Sequence, residues 1–368
     1  MTRLLYLVSH PIQYQAPLLR RIAAEPGIGL RVVFGHVATA RTHREPEFGI
    51  ELDWDVPLLD GYDSVALADT DLAREIGAAD AVWIHGWQYR WQRRALVTAS
   101  RRRVPVLMRG ENWSGATPDA AGPVEWARRL GRRTLFRHVS GFLAIGSRNR
   151  DYYVEHGVPP ARLFSMPYAV DNDYFATRAK AAAGSRDALR DRLEIPQGRP
   201  VLLFVGKLMA RKRPDLLVAA WKAARWVGAQ PVLLFVGDGE LRDGLRRAAP
   251  QAVFAGFRNQ SELPAFYDLA DLLVVPSRRE PWGLVINEAM ACGTAAVASD
   301  DVGAAHDLIQ PETGGVFRSG DVDSLAAVLA ECLPRAEALG QAARQHVAAW
   351  DFEADVRGLQ TALASVAR

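Results

Sequence analysis

Val274-Val275-Pro276-Ser277-Arg278-Arg279-Glu280-Pro281-Trp282-Gly283-Leu284-Val285-Ile286-Asn287-Glu288-Ala289-Met290-Ala291-Cys292-Gly293 decides how the rest of the chain is read. The apolar run from Leu272 stops at Pro276, as a short buried strand does. A turn follows that holds a carboxylate, a proline, a tryptophan and a glycine. Beyond Gly283 the spacing of Leu284, Ile286, Ala289 and Met290 becomes helical, and Gly293 falls where a C-terminal cap belongs. Strand, tight turn and helix start together make an anion site, because free N–H groups and the positive end of the helix dipole face the turn.

Glu280 and Glu288 bracket that site. Eight residues of helix would separate them by about 12 Å. The paired carboxyls of retaining glycoside hydrolases stand roughly 5–5.5 Å apart and those of inverting ones about 6.5–9.5 Å. The spacing therefore suits two ends of one long ligand better than an acid–base pair, with sugar or ribose hydroxyls on the carboxylates and phosphates between. Two solvated glutamates are the plain alternative.

Glu280 and Glu288, with the intervening Pro-Trp-Gly-Leu, resemble the E-x7-E element of retaining GT-B glycosyltransferases, specifically glycosyltransferase family 4. The resemblance extends from about residue 200 to 320 and weakens toward the N-terminus. It implies that Glu280 contacts the donor sugar and Glu288 the nucleotide ribose. The amides near Gly283 and Leu284 become phosphate or sugar donors, with Trp282 beside them.

The chain has 368 residues, a net charge of +3 and about half hydrophobic residues. That length is comfortable for two domains, and so small a charge implies no nucleic-acid function. Arginines do cluster, at Arg101–Arg103 and at Arg128, Arg129, Arg132, Arg133 and Arg137. They read either as solvated helix faces or, with Trp126, Leu130 and Phe136, as a surface for anionic membrane or an acidic acceptor. Cys292 and Cys332 make no disulfide framework, and no metal-ligand spacing appears. The opening Leu4–Val8 is too short for a signal-peptide core, and no run is long enough to span a membrane. A cytoplasmic protein, with peripheral membrane contact as an alternative, is expected.

The first half alternates strands and helices. A strand at Leu4–Val8 leads into Ser9-His10-Pro11-Ile12-Gln13-Tyr14-Gln15, at the ligand-facing edge of a doubly wound sheet. The family resemblance predicts a glycine-rich loop here. This chain has His10, Gln13 and Tyr14, read as acceptor contacts or as a structural turn. The segment from His36 to Tyr62, with Phe48 and Trp54, has no clear period. A further strand ends at His85 before Gly86 and Trp87. A histidine at a strand end beside glycine and aromatics points to the active site, and the resemblance places such a histidine near the donor sugar. Trp87 and Trp113 are either an aromatic floor or core packing. After strand Pro105–Met108, Arg109 and Glu111 read as acceptor contacts, with a surface ion pair as the alternative. Ser147 is the expected N-cap of the helix that follows strand Phe142–Ile145.

From residue 199 a second alternating series begins. Strand Val201–Val205 ends in Gly206-Lys207-Leu208-Met209-Ala210-Arg211-Lys212, a cationic loop where a diphosphate would be neutralised. It resembles the family's glycine-arginine…lysine loop, with Lys207 in place of arginine and Lys212 at the lysine position. Gly237-Asp238-Gly239 after strand Val232–Val236 is only a partial dinucleotide fingerprint. By resemblance, backbone at Gly256-Phe257-Arg258 holds the base.

The sequence thus predicts an α/β protein of GT-B class, two Rossmann-like doubly wound domains facing a central cleft. Residues 1–168 would bind acceptor, 169–198 link, 199–349 bind nucleotide sugar, and 350–368 form a helix crossing back to the first domain. The resemblance implies metal-independent transfer, with retention, from a nucleotide-diphosphate sugar to an acceptor hydroxyl of a sugar, polyol, glycan or lipid-linked molecule. Glu280, His85, Lys207 and Lys212 are the expected catalytic set. Gly206, Phe257, Arg258, Trp282, Gly283, Leu284 and Glu288 join them around the donor. No cofactor is expected; the donor is a co-substrate, with a uridine-diphosphate sugar the leading expectation although backbone contacts leave uracil, guanine and adenine open. Rivals are a sugar-nucleotide epimerase or inverting transferase, a dinucleotide oxidoreductase, and a non-catalytic sugar-nucleotide sensor. Oligomeric state is open.

Overall fold

The computed structural model describes residues 1–37, 42–44, 51–53, 55–116 and 122–367. Phe48 and Trp54 lie outside the described residues. The chain divides into two compact units, one built from Met1–His43, Glu51–Tyr168 and the C-terminal helix from Phe352, the other from Ala169–Asp351 with Arg44.

The first unit runs β1 (Thr2–Val8), α1 (Ala16–Ala23), β2 (Ile28–Phe34), the short strands β3 (Thr42–Arg44) and β4 (Glu51–Asp53), β5 (Asp63–Ala66), α2 (Leu72–Ala78), β6 (Ala81–His85), α3 (Arg90–Arg101), β7 (Val106–Arg109), α4 (Pro123–Phe136), β8 (Gly141–Ala144), α5 (Ser147–Glu155) and β9 (Leu163–Ser165). Seven strands form one sheet in the order β5-β2-β1-β6-β7-β8-β9, every pairing parallel. Parallel strands covered on both faces must be apolar on both, and Leu4 to Val8 are all buried. Ser147 is not the N-cap expected of it: it is the first helical residue, preceded by Gly146, and no side chain caps α5.

The second unit runs α6 (Asn172–Ala182), α7 (Arg186–Arg192), β10 (Val201–Val205), α8 (Pro214–Ala223), β11 (Val232–Val236), α9 (Arg242–Ala248), β12 (Val253–Gly256), α10 (Leu263–Leu269), β13 (Leu272–Val275), α11 (Val285–Cys292), β14 (Ala295–Ser299), α12 (Ala305–Leu308), β15 (Gly314–Phe317), α13 (Val322–Cys332) and α14 (Ala336–Val347). Its sheet has the order β12-β11-β10-β13-β14-β15 and is again wholly parallel. Residues 169–198, expected as a linker, carry α6 and α7, which pack on α10 and α11. Gly237 explains the partial glycine fingerprint: a Cβ there would stand 2.0 Å from the Gly206 carbonyl oxygen, so glycine lets the loops after β10 and β11 cross.

The last helix, α15 (Phe352–Val366), lies on the first unit's sheet. Val356, Leu359, Ala362 and Leu363 join the core under β1 and β2. Each fully buried aliphatic contributes about 1.5–3 kcal/mol. The exposed Arg21–Glu353 pair belongs to a class worth about 0–1 kcal/mol. Packing, not that ion pair, holds the helix.

Candidate active site

In each sheet the chain reverses its winding at the first strand. β1 pairs with β2 on one side and β6 on the other, and β10 pairs with β11 and β13. At such a switch point the two loops leaving the carboxyl ends diverge and open a crevice for a ligand. The two switch points hold most of the expected site residues, and each is described within its own unit.

In the second unit the loop after β10 meets the loop after β13. Lys212 Nζ lies 2.5 Å from Glu280 Oε2, and Arg211 Nη1 reaches the same oxygen at 3.1 Å. The Arg278 amide also donates to the Arg211 carbonyl at 2.8 Å, which fastens the loops together. Glu280 is held from the other side, its amide donating to Asp301 O and its carbonyl accepting from the Gly303 amide. Gly283 has φ +98°, a conformation L side chains rarely adopt. From it the chain enters α11, whose N-cap residue Leu284 makes no side-chain cap and whose Ile286 amide donates back to the Gly283 carbonyl at 2.9 Å. Gly293 ends that helix at φ +88°, its N–H returning to Ala289 O and Met290 O.

Glu288 sits within α11 and is 8% exposed. Its Oε2 accepts from the Tyr267 hydroxyl at 2.5 Å. Burial pushes its carboxyl from the ordinary 4.5 up to about 7, and the Tyr267 hydrogen bond only partly offsets this. Folded Glu288 therefore holds its proton to higher pH than the unfolded chain does. Stability that is full below about pH 4.5 is lost as pH rises through about 7. The loss is on the order of 3 kcal/mol. Glu288→Gln should flatten that part of the stability–pH curve in urea titrations, and a variant curve as steep as the wild type's would refute the assignment.

Trp282, expected beside the donor, is only 4% exposed. Its indole N–H donates to Asn287 Oδ1 at 2.9 Å, and its ring packs on Trp350 at 5.4 Å. It braces the turn from behind rather than facing a ligand. Arg258 is turned onto its own surroundings, donating to Ala255 O and Glu262. Gly206, Lys207 and Leu284 lie in the two meeting loops, and Phe257 follows β12.

In the first unit the switch point gathers Tyr6, Gln15 and His85. The Tyr6 hydroxyl is 2.9 Å from His85 Nδ1, and Gln15 Nε2 is 3.4 Å from it. On the other side of the ring, His85 Nε2 lies 3.4 Å from Glu111 Oε1. The carboxylate beside Nε2 favours the proton on that nitrogen. Glu111 also accepts from the Tyr168 hydroxyl. Burial raises its carboxyl, but the His85 contact, the Tyr168 hydrogen bond and the Arg109 charge outweigh that and hold it below the ordinary range. Desolvation raises the Tyr6, Tyr14 and Tyr168 hydroxyls, so these three remain neutral donors.

Arg109 is neither an acceptor contact nor part of a surface ion pair. It is 1% exposed and donates through Nη2 to Asp355 Oδ1 at 3.0 Å and to the Met166 and Pro167 carbonyls at 3.1 Å. It thereby ties the end of β7 to α15, and its guanidinium lies over the Tyr168 ring at 4.9 Å. Trp87 packs edge-on against Phe136 at 5.3 Å, and Trp113 is buried in the same cluster, so core packing accounts for both rings. His10 stacks on His36 at 5.6 Å with Ser9 Oγ 2.9 Å from its Nδ1. Tyr14 packs edge-on against Tyr168 at 5.7 Å. Gln13 Oε1 is buried with no hydrogen-bond partner among the described residues.

Tyr6, Gln15 and Tyr168 in the first unit and Arg211 and Tyr267 in the second escape the sequence reading. Arg211 was visible in the run Arg211-Lys212-Arg213 but not distinguishable from a solvated cation. Tyr267 reads as an ordinary apolar position of α10.

Residues 185–346 match the family described as glycosyl transferases group 1. The D-inositol 3-phosphate glycosyltransferase of Geodermatophilus obscurus is 30% identical over 332 residues, covering 83% of this chain and 70% of that protein. The crystal structure of Anabaena HepE in complex with UDP and glucose is similar at TM-score 0.72 and 18% identity, over 99% of this chain and 100% of that one. A glycosyltransferase from Rickettsia africae is similar at TM-score 0.76 and 13% identity, over 99% and 98%. At such identities the two structures speak to the fold alone, which is GT-B, two Rossmann-like domains. The extent and identity of the sequence match decide the rest: the chain belongs to the group 1 glycosyl transferases and is a glycosyltransferase.

Proposed function

We propose that the protein transfers a sugar, with retention at the anomeric carbon and without a metal ion, from a nucleotide-diphosphate sugar to an acceptor hydroxyl. The observation that carries this reading is the meeting of Lys212 and Arg211 with Glu280 beside the uncapped start of α11. Two cations at the positive end of a helix dipole are what a departing diphosphate requires, since its growing negative charge must be stabilised by groups already in place. Lys207, Arg211 and Lys212 supply positive charge that a metal would otherwise bring. Glu280 orients donor-sugar hydroxyls, and Glu288 accepts from the ribose. The UDP bound by HepE and the inositol phosphate named in the relative's activity favour a uridine-diphosphate donor and a polar, hydroxyl-bearing acceptor.

An inverting enzyme needs a base for the acceptor hydroxyl, and the first unit's candidates are His85 and Glu111. Both ring nitrogens of His85 already face partners. Glu111 is held below the ordinary carboxylate range, whereas a base works best with a pKa near the operating pH. Both facts favour retention, in which no dedicated base is required.

A thermal-shift panel of uridine, guanosine, adenosine and thymidine diphosphate sugars, on wild type and Glu288→Ala, tests the donor. One donor should stabilise the wild type selectively and leave the variant unmoved. A folded protein that responds to none overturns the reading. The anomeric configuration of the product, by proton NMR, then separates retention from inversion.

A further inference from the structure

Tyr267 and Glu288 meet where α10 and α11 pack side by side in the second unit. The tyrosine is 0% exposed, and its hydroxyl donates to Glu288 Oε2 at 2.5 Å. Burial holds that hydroxyl well above its ordinary range, so it stays a neutral donor. Its place is fixed independently of the carboxyl. Phe175 of α6 packs on the ring at 6.4 Å between centroids, and the Thr294 hydroxyl donates to the Tyr267 carbonyl at 2.7 Å.

The other ionisable groups on the surrounding elements are engaged elsewhere or exposed. On α10, Asp268 is paired with Arg186. On α11, Cys292 Sγ lies 3.6 Å from Phe175 O, and burial raises its thiol. On α14, Glu337 and Arg344 are exposed, and His346 Nε2 lies 3.1 Å from Asp307 O. On α6, Phe175 and Ala179 are the buried residues, Asp173, Arg178 and Lys180 are exposed, and Arg178 covers the Tyr174 ring. β13 and β14 bring only apolar residues and Ser299. Burial and Tyr267 together set the protonation of Glu288.

The two carboxyl oxygens are therefore unlike. Oε2 is spent on Tyr267. Oε1 is not among the atoms sealed from solvent without a partner, and it is the oxygen left for a ligand. We propose that Tyr267 is the positioning residue of the ribose subsite: by holding Oε2 it fixes the plane of the carboxyl and presents Oε1 to the ribose hydroxyls. This rests on the donor reading above, in which Glu288 accepts from ribose. A glutamate ordered before the nucleotide arrives spares the ligand the entropy of ordering it.

The same bond has a consequence for pH. A donor to the carboxylate favours its ionised form, and an ionised oxygen makes the stronger bond to a hydroxyl. Tyr267→Phe keeps the ring and the burial but removes the donor, so Glu288 holds its proton to still higher pH. Affinity for ribose that rises through about pH 7 in the wild type should rise later in the variant.

The test is calorimetric titration of the full chain with UDP, GDP and ADP and with their 2′,3′-dideoxy counterparts. The wild type should prefer the ribose form of the nucleotide it selects by about tenfold. Tyr267→Phe should melt like the wild type yet show about a twofold preference or less near pH 7, regaining part of it near pH 8.5. Glu288→Gln, which keeps Tyr267 and cannot titrate, should show a preference that does not change with pH. Wild type that binds none of the nucleotides overturns the donor reading and this inference together. A nucleotide bound without preference for ribose, or a preference that Tyr267→Phe leaves intact at both pH values, overturns this inference alone.

Discussion

Arg109→Ala should lower the unfolding free energy of the first unit by roughly 3–5 kcal/mol, the usual consequence of leaving one member of a buried ion pair alone. Arg109 and Asp355 have side-chain exposures of 2% and 0%. Without the guanidinium, buried Asp355 loses its cationic partner, and the Met166 and Pro167 carbonyls lose their donor. The arginine also lies over Tyr168, whose hydroxyl serves Glu111, so the loss should loosen the His85 cluster as well. Calorimetry reads the effect as a fall in melting temperature on the order of 10 °C. Replacing both partners by apolar residues, Arg109→Met with Asp355→Leu, should recover most of it, since paired apolar groups avoid the desolvation cost. A single alanine variant that melts within a degree or two of wild type would show that the pair is not what holds β7 to α15.

Lys212→Ala is expected to reduce kcat on the order of 10²–10³-fold with the selected donor, as removal of one preorganised charge at a leaving group does. Donor KM should change much less, because in the proposed role the interaction grows as the diphosphate departs. The 2.5 Å contact with Glu280 adds a second consequence: without Lys212 the carboxylate loses its shortest cationic contact and keeps that with Arg211, at 3.1 Å and through a side chain 44% exposed. Lys212→Arg should restore part of the rate, since charge is kept while the point contact is replaced by a planar fork. Arg211→Ala should cost less than Lys212→Ala. Equal kcat in wild type and Lys212→Ala would remove this lysine from the mechanism.

The strands were legible where burial on both faces made them continuously apolar. Val201–Val205, Val232–Val236 and Leu272–Val275 have the ends their sequences suggest. β5, Asp-Ser-Val-Ala at the sheet edge, and β9, only three residues long, carried too little pattern to be seen. At the site, Glu280, Lys212 and Glu288 stood out because turn chemistry and a resemblance converged on them. Arg109 was misread for a physical reason. An arginine followed by glycine and glutamate looks like a solvated loop, and its partner Asp355 is 246 positions away, beyond any local pattern. Tyr267 was hidden likewise, because its bond to Glu288 depends on α10 and α11 packing side by side.

The placement of α15 also sets an order of assembly during synthesis. Domains generally fold as units and in the order they are made. Here the first unit's core includes Val356, Leu359 and Leu363, and Arg109 waits for Asp355, whereas Ala169–Asp351 is continuous. The part of the chain that leaves the ribosome first is therefore the last to be completed. Until residues 352–367 emerge, the sheet that begins at Thr2 exposes the apolar strip they will cover, and the later-made unit can already be finished.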